Sequence, residues 1–174
     1  MRRKNKLCPL VGRFFGALLA QPLTPTDVQW VENCLLPTEQ ALWQRMSKAD
    51  QVHAFGVMAR VDEELPEAPR EVLAAALLHD VGKVTSNLGT FGRVAATLLV
   101  AVTAAGRHQV WAKQSGIRGN LGRYLTHPDQ GLRLLTEAGS DPLTVAWAEE
   151  HHRPANQWTV ETEYAAVLWK ADDD

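Results

Sequence analysis

Helix caps and helix-breaking residues recur along the whole chain, whereas alternating strand patterns are scarce, so the sequence is restricted to helices joined by short turns. Pro22 and Pro25 bracket a break. Thr26-Asp27 offers a cap for Val28 to Leu36, Pro37 ends that helix, and Thr38 can cap Glu39 to Met46. Ser47-Lys48-Ala49-Asp50 is a capping-box pattern for a helix that runs to about Leu65 and carries His53 in its second turn. Glu71 to His79 forms the next helix, with Gly82 as its stop. Ser86 to Gly92 reads as a loop and Arg93 to Ala105 as a buried helix. Gln114 to Gly122 has three glycines with Arg118 among them and Arg123 just after, the composition of a functional loop and a candidate lid. Tyr124 to Ala138 is expected as one helix through His127-Pro128, ending at Gly139. Asp141-Pro142 opens another that reaches His151-His152, and a last helix spans about Val160 to Asp172. The predicted fold class is all-α, a helical bundle.

Size and charge narrow the possibilities. A chain of 174 residues with 45% hydrophobic content can bury one full core without disulfides, so a single domain over residues 1–174 is expected. Its functional core would occupy about residues 47–172, with helices from residues 1–46 packed on it. Cys8 and Cys34 lack any metal-binding spacing. A net charge of −2 argues against nucleic acid as a partner. The basic start, Met1 to Lys6, followed by apolar Leu7 to Ala20, resembles a signal peptide in part. Arg13 interrupts it and no A-x-A pattern follows, so an amphipathic first helix is expected instead. The longest other apolar stretch falls short of the ~20 residues that cross a bilayer, and a cytoplasmic protein is expected.

His79 and Asp80 stand side by side at the end of the apolar run Val72 to Leu78, and Val81-Gly82-Lys83 follows at once. His53 lies upstream, with His127, His151, His152 and Asp172 downstream. Imidazoles and carboxylates without thiolates suit an open, catalytic divalent ion more than a closed structural zinc site. Neighbouring helix residues point about 100° apart, so a His-Asp doublet can serve one ion only at a helix end, or two ions with the carboxylate between them. Phosphoester hydrolysis is the natural reaction for such a centre. Lys83 could neutralise phosphate charge, or could merely complement the carboxyl end of its helix. Arg45, Arg123 and Arg153 could bind substrate phosphate, with surface charge the alternative. His108 has no ligand context and is assigned to the surface. Trp30, Trp43, Trp147, Trp158 and Trp169 are assigned to the core.

These residues resemble the HD superfamily of metal-dependent phosphohydrolases, whose pattern is a histidine, a His-Asp doublet and a late aspartate on an all-α bundle. His53, His79-Asp80 and Asp172 stand in those places, the last in Leu168-Trp169-Lys170-Ala171-Asp172. His79-Asp80-Val81-Gly82-Lys83, His127-Pro128-Asp129-Gln130-Gly131 and His151-His152 are also similar to elements of the HD-GYP subset. Arg153-Pro154 follows His152, however, and the H-H-E and G-Y-P signatures are missing. The resemblance implies one or two divalent ions (Mn, Fe, Ni, Mg or Zn). His53, His79, Asp80 and Asp172 would hold the first; His127, His151 and His152 would hold a second, with Asp80 bridging. Asp80 and Lys83 would be the catalytic groups, acting through a metal-activated water. The implied substrate is a phosphomonoester or phosphodiester, a nucleotide or related small molecule. A non-catalytic metal-binding signalling or interaction module is the alternative.

Overall fold

The computed structural model describes residues 21–86, 88 and 105–173, and every regular element among them is helical. The expected helix at Leu7–Ala20, that at Arg93–Ala105 except for its last residue, and most of the loop between Ser86 and Gly92 lie outside the described residues.

Prolines set the first two helix starts, because a residue with no N–H costs nothing in a first turn. In α1 (Pro25–Cys34) this makes Thr24 the cap, two residues before the expected Thr26-Asp27. Thr24 Oγ1 accepts from Asp27 N at 3.2 Å, and the Asp27 carboxylate accepts from Thr24 N at 2.8 Å. Pro37 likewise begins α2 (Pro37–Trp43) instead of ending α1, and Thr38 lies inside the first turn. Its hydroxyl donates to the Ala138 carbonyl. Ser47 caps α3 (Lys48–Glu64) as the sequence indicates, accepting from Asp50 N.

Seven consecutive residues of α4 (Arg70–Leu78), Val72 to Leu78, are buried, as an all-round apolar helix must be. Helices α1, α2 and α3 pack against it, as do two later ones, α8 (Pro142–Glu150) and α9 (Thr162–Asp173). A short 3-10 turn (Val81–Thr85) follows α4, and α5 (Ala105–Ala112), α6 (Gly116–Leu125) and α7 (His127–Ala138) complete the bundle. Met58, Leu77, Leu135, Trp147 and Leu168 are fully buried in the shared core. No helix among the described residues is long and apolar enough to cross a membrane.

Four expectations are corrected. The glycine-rich segment is helix α6, not a loop. A Cβ on Gly119 would lie 1.9 Å from the Gln114 carbonyl oxygen, and one on Gly122 would lie 2.2 Å from Ala112 N, so these glycines let α6 press on α5. The helix expected from Tyr124 to Ala138 is two, broken at Thr126, because Pro128 has no N–H for the Tyr124 carbonyl. His108 is buried, beside Trp111, where α5 packs along α6. Trp169 is 48% exposed, since Ala165, Leu168 and Ala171 take the inward stripe of α9 and leave it on the outer face.

Candidate metal centre

Three of the histidines are held at helix ends by the same device. A helix leaves its last carbonyls without intrahelical donors. His79 follows the last residue of α4 and directs Nδ1 at the Ala76 carbonyl, 2.8 Å away. His151 follows α8 and does the same to Ala148 at 3.1 Å. His127 takes the Tyr124 carbonyl at 2.9 Å, the acceptor that Pro128 cannot satisfy. A carbonyl partner requires the proton on Nδ1, so each neutral ring presents Nε2 as a lone pair.

Those lone pairs point at one another. The Nε2 atoms of His79, His127 and His151 and Oδ1 of Asp80 are all buried without a hydrogen-bond partner. Asp80 sits between α4 and the 3-10 turn, where its two oxygens face different sides. Oδ1 lies 3.2 Å from His127 Nε2 and 3.8 Å from His151 Nε2, whereas Oδ2 lies 3.5 Å from His79 Nε2 and accepts from the Lys83 ammonium. His53 on α3 and Asp172 on α9 close the second side, with His53 Nε2 2.9 Å and His79 Nε2 3.5 Å from Asp172 Oδ1. The His152 ring is 3.9 Å from that of His151 and 5.2 Å from that of His127. All seven predicted ligand residues and Lys83 therefore meet in one place.

Two groups emerge with Asp80 common to both. Asp80, His127, His151 and His152 each offer a ligand atom within 4.8 Å of the others, and so do His53, His79 and Asp80. Asp172 joins the second group through His53 and His79. Donors at about 2.1 Å from one octahedral ion stand about 3.0 Å apart, and wider at tetrahedral angles. The observed 2.9–3.8 Å separations fit shared ions, and facing lone pairs without a cation would repel.

Electrostatics keeps the donors in their metal-ready forms. Burial pushes the Asp80 carboxyl up, but Lys83 and the imidazoles of His79 and His127 outweigh it and hold it well below the usual range. Burial works against the charge on Lys83, and the Asp80 carboxylate reverses this and keeps the ammonium. Burial lowers His151, reinforced by His152 and His79, and His152 is lowered to about 4 by burial and His127. Burial raises Asp172, yet the hydrogen bond from His53 and the nearby imidazole of His79 bring it well below its ordinary value.

Glycines set the approach of the elements. A Cβ on Gly82 would lie 1.9 Å from the His127 carbonyl oxygen and 2.6 Å from Gly131 N, so only glycine lets the 3-10 turn touch α7. Gly131 in turn lies close to Ala148 of α8. Two supports escape sequence reasoning. Glu150, buried, accepts from Thr159 N and Thr159 Oγ1, both at 2.7 Å, and ties the segment after His152 back to α8. Arg60 Nε donates to the Ala171 carbonyl at 2.9 Å, next to Asp172. Its position seven residues after His53, on the same face of α3, was the available signal. Of the arginines considered for phosphate, Arg123 is taken up by the carbonyls of Thr85, Ala112 and Gln114, and Arg153 pairs with Glu149. Arg45 is exposed.

Neither the curated proteins nor the solved structures contain a match to this sequence. The family model of the HD domain matches residues 52–173, a span that includes all seven residues of the centre. Its extent over the chain, with the His/Asp cluster folded inside it, shows that this protein belongs to the HD domain family, a family of metal-dependent hydrolases.

Proposed function

We propose that the protein is a phosphohydrolase that cleaves a phosphomonoester or phosphodiester of a nucleotide or related small molecule. One observation carries this reading: three imidazole lone pairs and a carboxylate oxygen converge, buried and unpartnered. His53, His79, Asp80 and Asp172 would hold one divalent ion, and His127, His151 and His152 a second, with Asp80 serving both. Such ions, when bound, supply Lewis acidity and an activated water. Five imidazoles against two carboxylates favour Mn, Fe, Ni or Zn over Mg, which prefers oxygen donors.

The chain's own groups have separable tasks. Neutral imidazoles bind cations without adding charge, and Asp80 and Asp172 supply the negative charge that compensates them. Nδ1 contacts to backbone carbonyls fix ring orientation before any ligand arrives, which lowers the reorganisation required on binding. Lys83, with 18% of its side chain exposed, supports a contact to phosphate oxygens as charge builds on them.

Metal analysis of purified protein, joined to a phosphoester screen with Mn, Fe, Ni, Zn and Mg, tests the proposal. Turnover should vanish with chelator, return with one of these ions, and be lost in Asp80→Asn. Tight binding without turnover under every ion would assign the chain to a non-catalytic metal-binding module.

A further inference from the structure

Asp80 is not symmetrically disposed between its neighbours. Oδ1, on the His127 and His151 side, has no hydrogen-bond partner, whereas Oδ2, on the His79 side, already holds the ammonium of Lys83. A tethered cation thus occupies one side of the carboxylate. Two cations at one partly buried oxygen repel strongly, so an ion that takes Oδ2 must displace Lys83. The contact of His53 with Asp172 at 2.9 Å must also open on that side. On the other side only the 3.2 Å approach of His127 Nε2 to Asp80 Oδ1 has to open, and no tethered cation stands in the way. There the Nε2 atoms of His127 and His151 are bare, and their rings are anchored through Nδ1.

On the metal-centre reading above, we propose that Lys83 makes the two ion positions unequal by competing with a metal ion for Asp80 Oδ2. The His127, His151 and His152 position fills first. The His53 and His79 position fills only when Lys83 leaves the carboxylate. A displaced Lys83 is an ammonium without its counter-charge, so its release for an anionic substrate is tied to the second ion. Lys83 then acts on the carboxylate in the partly loaded protein and on the substrate in the fully loaded one.

Calorimetric titration of the metal-stripped full chain with Mn2+ tests this without any substrate. The wild type should take up Mn2+ in two phases. Lys83→Met should tighten the weaker phase at least about tenfold, as expected when a buried competing charge is removed, and leave the tighter phase in place. Lys83→Arg keeps the charge and should titrate like the wild type. Lys83→Gln provides a second neutral side chain, with helix content by circular dichroism as the check on folding. Should neither neutral variant fold, the first equivalent of diamagnetic Zn2+ on the wild type should shift the Nε2 NMR signals of His127 and His151 and leave that of His53 in place. The proposal is overturned by a single phase in the wild type, by neutral variants whose weaker phase is unchanged or weaker still, or by a His53 Nε2 signal that shifts as early as those of His127 and His151. A wild type that binds no ion would defeat the metal centre itself, whereas two phases indifferent to Lys83 would defeat only the competition.

Discussion

Replacing Gly82 with alanine should separate the two halves of the centre. The added Cβ would stand 1.9 Å from the His127 carbonyl oxygen, 2.6 Å from Gly131 N and 2.8 Å from the His127 carbonyl carbon. All three are backbone atoms, so no side chain can swing aside. Reaching the 3.0 Å below which real contacts essentially do not occur requires a shift of at least about 1.1 Å between the 3-10 turn and α7. That shift acts at the site, because Asp80 directly precedes the turn and Lys83 lies within it, while His127 begins α7. The 3.2 Å separation of His127 Nε2 from Asp80 Oδ1 would grow past 4 Å if the movement were along it. Overpacking against backbone belongs at the upper end of the usual range, about 3 kcal/mol, which for a chain of this size lowers Tm by about 6–12 °C. Thermal unfolding of the metal-free variant measures the first effect, and Mn2+ titration should show the His127 position weakened at least about tenfold. A Gly82→Ala protein with Tm within about 2 °C of wild type and unchanged Mn2+ binding would refute the reasoning.

Arg123→Ala should cost about 2–3 kcal/mol, because the carbonyls of Thr85, Ala112 and Gln114 lose their common donor. The KM for substrate should stay where it was; a raised KM at constant Tm would restore a substrate role. Glu150→Gln would turn an amide donor toward Thr159 and lower stability by about 1–3 kcal/mol in denaturant titration, with the number of bound ions unchanged. Acidification should destabilise the metal-free protein. His151 and His152 lie below the ordinary 6.5, His152 at about 4, so between those values the unfolded chain binds more protons and stability falls as pH falls. Asp80 and Asp172, both held low, keep their contribution until the pH drops through their folded values. Denaturation midpoints at pH 7.5 and 4.5 measure the difference, and a flat profile would contradict it.

Which residues gather in the candidate centre was legible because few residue types bind divalent ions, and five of the six histidines fell into one spaced pattern. How those residues converge was not. The contact of Gly82 with the His127 carbonyl and that of Gly131 with Ala148 join segments that no local periodicity relates. Helix existence was readable from caps and apolar runs, yet boundaries moved wherever proline had two uses. Pro25 and Pro37 open helices that the sequence had starting later, and Pro128 divides what seemed a continuous helix. Arg123 shows a different limit. A guanidinium in a glycine-rich stretch looks like a ligand for anions, and only the folded chain brings three backbone acceptors around it.

The histidines placed just beyond α4, α6 and α8 also mean that three helix axes end at the same spot. Each carboxyl end carries about half a negative charge from its aligned peptide dipoles, and the amino end of α7 offsets one of them. Backbone alone therefore leaves a well of negative potential where the imidazoles gather. Stripping a single side chain from the cluster lowers its affinity for cations but does not erase the attraction, because part of that attraction is written into the direction of the helices.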